Sequence, residues 1–127
     1  THCKNLKYVT LPEGLVTIEG GTFAWCESLA SVNIPSTITV ISGSAFASCS
    51  SLKSIVIPNG VKSIGIFAFS RCKSLTSITI PNSVTHIDKR AFEDCTNLKI
   101  IYIPKGEKER FLKTGLKEFE SLLVEAE

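Results

Sequence analysis

The chain has 127 residues, 43% hydrophobic and 20% charged, with a net charge of +2, which is the balance of one soluble globular domain long enough to bury a core. No apolar run approaches the ~18–20 residues that cross a bilayer, which argues against membrane insertion, and no Lys/Arg run exceeds two residues, which argues against nucleic acid. There is no methionine, and Thr1 begins with neither a charged nor an apolar leader, so the chain reads as a piece of a longer product.

Internal periodicity dominates the chain. Every proline (Pro12, Pro35, Pro58, Pro81, Pro104) and every cysteine (Cys3, Cys26, Cys49, Cys72, Cys95) lies on a ladder stepping by 23 residues. Leu6, Leu29, Leu52, Leu75 and Leu98 share that step, as do Phe23, Phe46, Phe69 and Phe92, and Ile18, Ile41, Ile64 and Ile87. A period in the twenties predicts a solenoid. The array occupies residues 1–104, about four and a half units. Thr1 enters in mid-unit, so the first coil is expected to show an apolar edge unless further coils precede it, and to self-associate through that edge.

One unit, read from Leu52, begins with alternating apolar residues (Leu52, Ile55, Ile57) that predict a short strand. Pro58 lacks the N–H that a continuing ladder needs and should stop the strand at the same place in each coil. Asn59-Gly60 supplies turn chemistry, after which Val61 and Ile64 point inward from a second extended segment. Ala68, Phe69 and Cys72 fall at the spacing of one buried helical turn. Stacked at about 4.8 Å per strand, five coils build a parallel sheet roughly 24 Å long on one face. The predicted fold class is an α/β repeat, a right-handed solenoid with short helical turns between its strands.

Residues 105–127 break the register and carry 11 of the 26 charged side chains, a shift expected of a terminal cap. Leu112, Leu116, Phe119 and Leu123 form an amphipathic stripe suited to covering the last coil. Gly115 interrupts it, so a helix after Gly106, a turn and a second short element are expected.

The cysteines cannot hold a metal, because a straight column does not place four thiolates around a tetrahedron. Parallel Cβ vectors one coil apart also oppose disulfides. A buried column of free thiols is expected, behaving as small hydrophobes, and it leaves the redox compartment unreadable. No cofactor is implied. Trp25 sits in a column with Ser48, Arg71 and Asp94, on an outward position, and with Ile66 and Phe67 it forms a second candidate patch for a partner. His2 and His86 are isolated. Neither a nucleophile motif nor a phosphate-cradling loop appears, and Asp88, Glu93 and Asp94 stand beside Lys89 and Arg90 as a balanced surface cluster. An enzyme is not expected.

The L-x-x-I-x-I string of Leu52 to Ile57 resembles the strand of leucine-rich repeats (LRR). The position where those repeats usually carry Asn holds Gly14, Thr37, Gly60, Ser83 and Gly106 instead. The fuller pattern, with I-P after the strand, V-x-x-I, A-F-x-x-C and the 23-residue step, is similar to the BspA-like subfamily found in large surface proteins of bacteria and some parasitic protists. The ending Ile101 to Gly106, with Phe111, Leu116 and Phe119 beyond, is similar to the segment that closes such arrays. Leu116 stands where that segment often has Trp, and Thr22 replaces Ala in the first Phe block. The resemblance implies a protein-binding or adhesion module, at the cell surface or secreted, with a host-cell or matrix protein as partner.

The surface such binding would use is the outward strand face. One row is Tyr8, Ser31, Ser54, Ser77 and Ile100; the other is Thr10, Asn33, Val56, Thr79 and Tyr102. Both are uncharged, suiting a polypeptide strand or, alternatively, a glycan. The competing reading is a structural spacer that displays another domain and has no ligand.

Overall fold

The computed structural model describes residues 3–126. Each coil contributes a three-residue strand and then a two-residue one: β1 (Tyr8–Thr10) and β2 (Thr17–Ile18), β3 (Ser31–Asn33) and β4 (Val40–Ile41), β5 (Ser54–Val56) and β6 (Ser63–Ile64), β7 (Ser77–Thr79) and β8 (His86–Ile87). The fifth coil supplies β9 (Ile100–Pro104), followed by helix α1 (Lys108–Leu112), a 3-10 helix (Lys117–Leu122) and β10 (Leu123–Ala126). All pairings are parallel, and those among β1 to β9 keep the 23-residue register, Tyr8 against Ser31 and Ser63 against His86 for example. The solenoid is thus the predicted one.

Three features of the coils depart from expectation. The second sheet runs unbroken as β2-β4-β6-β8, whereas the main face is two pieces, β1-β3 and β5-β7-β9-β10. The single five-strand sheet is therefore interrupted between Asn33 and Ser54. In the Phe block, the expected helical turns are successive tight turns instead. Ala68 N–H bonds Gly65 O, and Ser70 N–H bonds Phe67 O, while Ser48 N–H reaches across to Ser70 O of the next coil. Left-handed residues punctuate these turns, Ser48 at φ 60° and Arg71 at φ 58°, and a right-handed helix cannot continue through them.

The third departure is at the cysteines. Cys49, Cys72 and Cys95 are free as expected, but Cys3 and Cys26 form a disulfide with Cα atoms 4.9 Å apart. Each free thiol donates to a Phe carbonyl of the preceding coil, Cys49 to Phe23, Cys72 to Phe46 and Cys95 to Phe69, at 3.2, 3.2 and 3.0 Å. The corresponding acceptor for Cys26 would lie ahead of Thr1. Cys3 beside Cys26 is half-buried. Burial raises the free thiols, Cys49 to about 12 and Cys95 to about 11, and Cys72 higher still, where Cys95 and Cys49 add to the burial.

The core is the set of predicted columns. Leu29, Leu52 and Leu75, Ile41 and Ile64, and Phe46 and Phe69 are fully buried. The four Phe rings stack along the axis at 5.4, 5.3 and 5.7 Å, with interplanar angles of 12° or less. Where leucine-rich repeats carry an Asn ladder, glycine alternates with a hydroxyl. Gly60 (φ 110°) donates to Ser83 Oγ at 3.0 Å, which donates to Val61 O at 2.7 Å. Gly14, Thr37 and Leu15 O repeat the arrangement.

The C-terminal segment uses the same logic. β10 lies along β9 from Leu123 against Ile101 to Ala126 against Pro104, and Glu125 Oε1 accepts the Gly106 N–H at 2.6 Å in the role Ser83 fills for Gly60. Leu123 is therefore in a strand and not on a helical stripe. β1, β3, β5 and β7 end two residues before their proline, but β9 runs through Pro104, because pairing with β10 continues to the bond from Lys105 N–H to Ala126 O. Burial falls on Phe111 and Leu116, with Leu112 only half-buried. Phe119 closes the ring stack edge-on, 6.1 Å from Phe92 at 87°. Gly115 packs so tightly that a Cβ would overlap Ile87 O and come within 2.7 Å of Lys89 N.

Candidate binding surfaces

Alternation in three-residue strands sends the middle residue inward (Ile55 and Ile78 are buried) and its neighbours out. The register aligns Tyr8 with Ser31, and Ser54 with Ser77 and Ile100. The second row aligns Thr10 with Asn33, and Val56 with Thr79 and Tyr102. Outward residues of β1, β3 and β5 are exposed, led by Tyr8 at 74% and Val56 at 68%, while those of β7 and β9 are half-buried. Val56, Thr79 and Tyr102 line a groove of about 530 Å3 together with Pro58, Pro81 and Pro104. Of the ten strand-face residues, the groove gathers only these three.

On the turns, Trp25 is 56% exposed and lines a depression of about 210 Å3 together with Phe67. Ile66 is exposed but lies apart, its Cγ2 over Gly43. A neighbouring trough of about 400 Å3 runs between two columns set two residues apart in each coil, Trp25-Ser48-Arg71-Asp94 and Glu27-Ser50-Lys73-Thr96. The first column is left-handed throughout, φ 58° to 64°. The second does not stand out in the sequence, although the same 23-residue alignment contains it.

Arg110 was also missed, since nothing in its local spacing distinguishes it from other surface charges. It forks onto Asn82 O, Asn82 Oδ1 and Val84 O at 3.0, 2.7 and 2.8 Å, pairs with Glu107 at 2.6 Å, and lies 4.3 Å over the Phe111 ring. It fastens α1 to the fourth coil.

His86 is exposed on β8 opposite Ser63, and His2 lies outside the described residues. Asp88 accepts the Arg90 N–H at 2.8 Å, and Arg90 faces Glu93 at 3.9 Å, a surface charge cluster. Among the described residues no three His, Cys, Asp or Glu converge as metal ligands, and no helix is long and apolar enough to cross a membrane.

Parallel 23-residue coils with a buried Leu/Ile/Phe core and an outward strand face define a leucine-rich-repeat solenoid. Residues 1–117 match the BspA type leucine rich repeat region in six copies, and the chain belongs to that family. Among solved structures it is similar to a leucine-rich repeat protein of Bacteroides ovatus, with 33% identity and a TM-score of 0.80 over 98% of this chain and 31% of that one. It is also similar to a leucine rich cell surface protein of Faecalibacterium prausnitzii, with 29% identity and a TM-score of 0.73 over 95% and 36%. The pneumococcal vaccine antigen PcpA shares the fold, with 21% identity and a TM-score of 0.68 over 96% and 36%. The chain thus spans about a third of the length of these proteins. No curated protein matches it in sequence.

Proposed function

We propose that the chain is a non-catalytic protein-binding or adhesion module of a bacterial cell-surface or secreted protein, recognising a protein of a host or neighbouring cell through its strand face. Family membership and the cell-surface character of the Faecalibacterium protein support the class. The observation that carries the face is the pair of uncharged outward rows, exposed from Tyr8 to Val56 and bordered by the groove at Val56, Thr79 and Tyr102. A strand face of this kind offers hydroxyls and aromatic edges without the cost of desolvating charge, and Tyr is favoured at interfaces. In this reading residues 1–104 are the recognition array and 105–127 its cap.

The test is retention of host cell-surface and matrix proteins by the chain, beside the Ser54→Glu, Ser77→Glu double variant. A partner held by the parent and lost by a still-folded variant supports recognition through this face. Equal retention moves the site elsewhere, and retention by neither favours the spacer. Self-association through the unpaired edge of β1 is part of the proposal, and a strict monomer on sedimentation at high concentration removes it.

A further inference from the structure

The turn face carries a site independent of the strand face. A left-handed backbone is costly for a bulky residue, on the order of 1–3 kcal/mol, and a Trp 56% exposed recovers little of that by burial. Stability does not account for Trp25 at φ 64°. In the next coil the column drops to Ser48, then rises to Arg71, so a small residue between two large ones leaves a notch.

Ser48 is 7% exposed and Ser70, on the neighbouring column, 8%. Ser48 lines both the 400 Å3 trough and the 210 Å3 depression, and Ser70 lines the second. Among the described residues neither hydroxyl makes a hydrogen bond within the protein, whereas Thr37, Ser51, Ser83 and Asn97 each bond a carbonyl of the coil before. Among the described residues no side-chain oxygen is both buried and unpartnered, so these two hydroxyls are accessible from the cavity, where a ligand can take the place of the water that solvates them. The rim offers donors and acceptors in balance, Arg71 and Lys73 against Glu27 and Asp94. Arg71 and Asp94 are only loosely engaged, at 3.9 Å with side chains 60% and 57% exposed.

From this arrangement we infer that the Trp25-Ser48-Arg71 trough is a carbohydrate-binding site for a neutral oligosaccharide. The Trp face offers an apolar platform to a sugar ring, while the open serine hydroxyls and the mixed rim match a ligand that is both donor and acceptor at every carbon. The rim charges cancel, which disfavours polyanions, and the first trough presents no aliphatic pocket for peptide side chains. Its volume lies near the lower end of the ~300–1,000 Å3 usual for small-ligand sites.

Trp25 is the only tryptophan, so its emission reports occupancy directly. The test titrates the chain with four neutral hexasaccharides (maltohexaose, cellohexaose, mannohexaose, chitohexaose), with heparin and an uncharged Phe-containing peptide as controls. One neutral sugar should change the emission saturably. By calorimetry, Trp25→Ala should weaken it on the order of thirtyfold, as loss of an aromatic anchor does, and Ser48→Val about two- to tenfold, both with parental circular dichroism. The Ser54→Glu, Ser77→Glu variant should bind the sugar as the parent does, which separates this site from the strand face. No response to any of the four at millimolar concentration, binding that survives Trp25→Ala, or a response only to heparin or the peptide overturns the inference.

Discussion

Replacing Phe69 with alanine tests the nearest-neighbour character of the core. Phe69 is fully buried, its ring between Phe46 at 5.3 Å and Phe92 at 5.7 Å. Buried Phe→Ala changes cost about 3–5 kcal/mol, and the loss of two stacked partners, worth about 0.5–1.5 kcal/mol each, puts this site near the top of that range. Phe23 is half-buried and has one stacked partner, Phe46 at 5.4 Å, so Phe23→Ala should lose roughly half as much, about 2–3 kcal/mol. Against a total of about 6–19 kcal/mol for a chain of this length, the central substitution removes a large share. With a urea slope near ~2 kcal/mol/M, the two midpoints should differ by about 1 M, read by far-UV circular dichroism and by Trp25 emission. Equal losses at the two positions would refute the view that each ring is stabilised by the coils on either side of it.

The C-terminal attachment offers two further tests. Gly115→Ala places a methyl against Ile87 O and the backbone of Asp88 and Lys89, so the tail should lift away at a cost of about 3 kcal/mol or more, with the circular-dichroism midpoint falling further than the midpoint read at distant Trp25. Arg110→Ala removes bonds to Asn82 and Val84 from a side chain 35% exposed; a loss of about 1–2 kcal/mol is expected in urea unfolding, and Arg110→Lys should recover less than half, since an ammonium cannot make the fork. The thiols give a pH signature. Their folded values, about 12 for Cys49 and about 11 for Cys95, lie above the ordinary 9.0, so the unfolded chain releases these protons first. Their contribution is complete below pH 9 and is lost as pH rises from there toward 11–12, at up to about 1.4 kcal/mol per pH unit for each thiol. Urea midpoints at pH 8, 9.5 and 10.5 check it, and Cys49→Ala should flatten the decline.

The 23-residue period made the inward columns legible, because a position that repeats in sequence must repeat in environment when coils stack. Leu52, Ile64, Phe69 and Cys72 could therefore be placed in the core without a structure, and so could the two outward rows. Pairs of residues across one repeat length were harder. Gly60 with Ser83 replaces the Asn ladder through a bond spanning 23 residues, and alternation of glycine and hydroxyl shows its purpose only once the two coils lie side by side. The tail has no repeat to serve as template, which is why its stripe misassigned Leu123 and left out Phe111, which only the family pattern singles out, and why Arg110 was overlooked.

By itself, then, the sequence determined the solenoid, its step, its core and the family pattern, since these follow from local spacing copied coil after coil. Only the tertiary structure decided that Cys3 joins Cys26 at the end of the ladder, that β10 extends the sheet along β9, and that the main sheet breaks between β3 and β5. The open hydroxyls of Ser48 and Ser70 belong to the same class. Each depends on contacts between neighbouring coils or between the last coil and the tail, and such contacts are not written in the period.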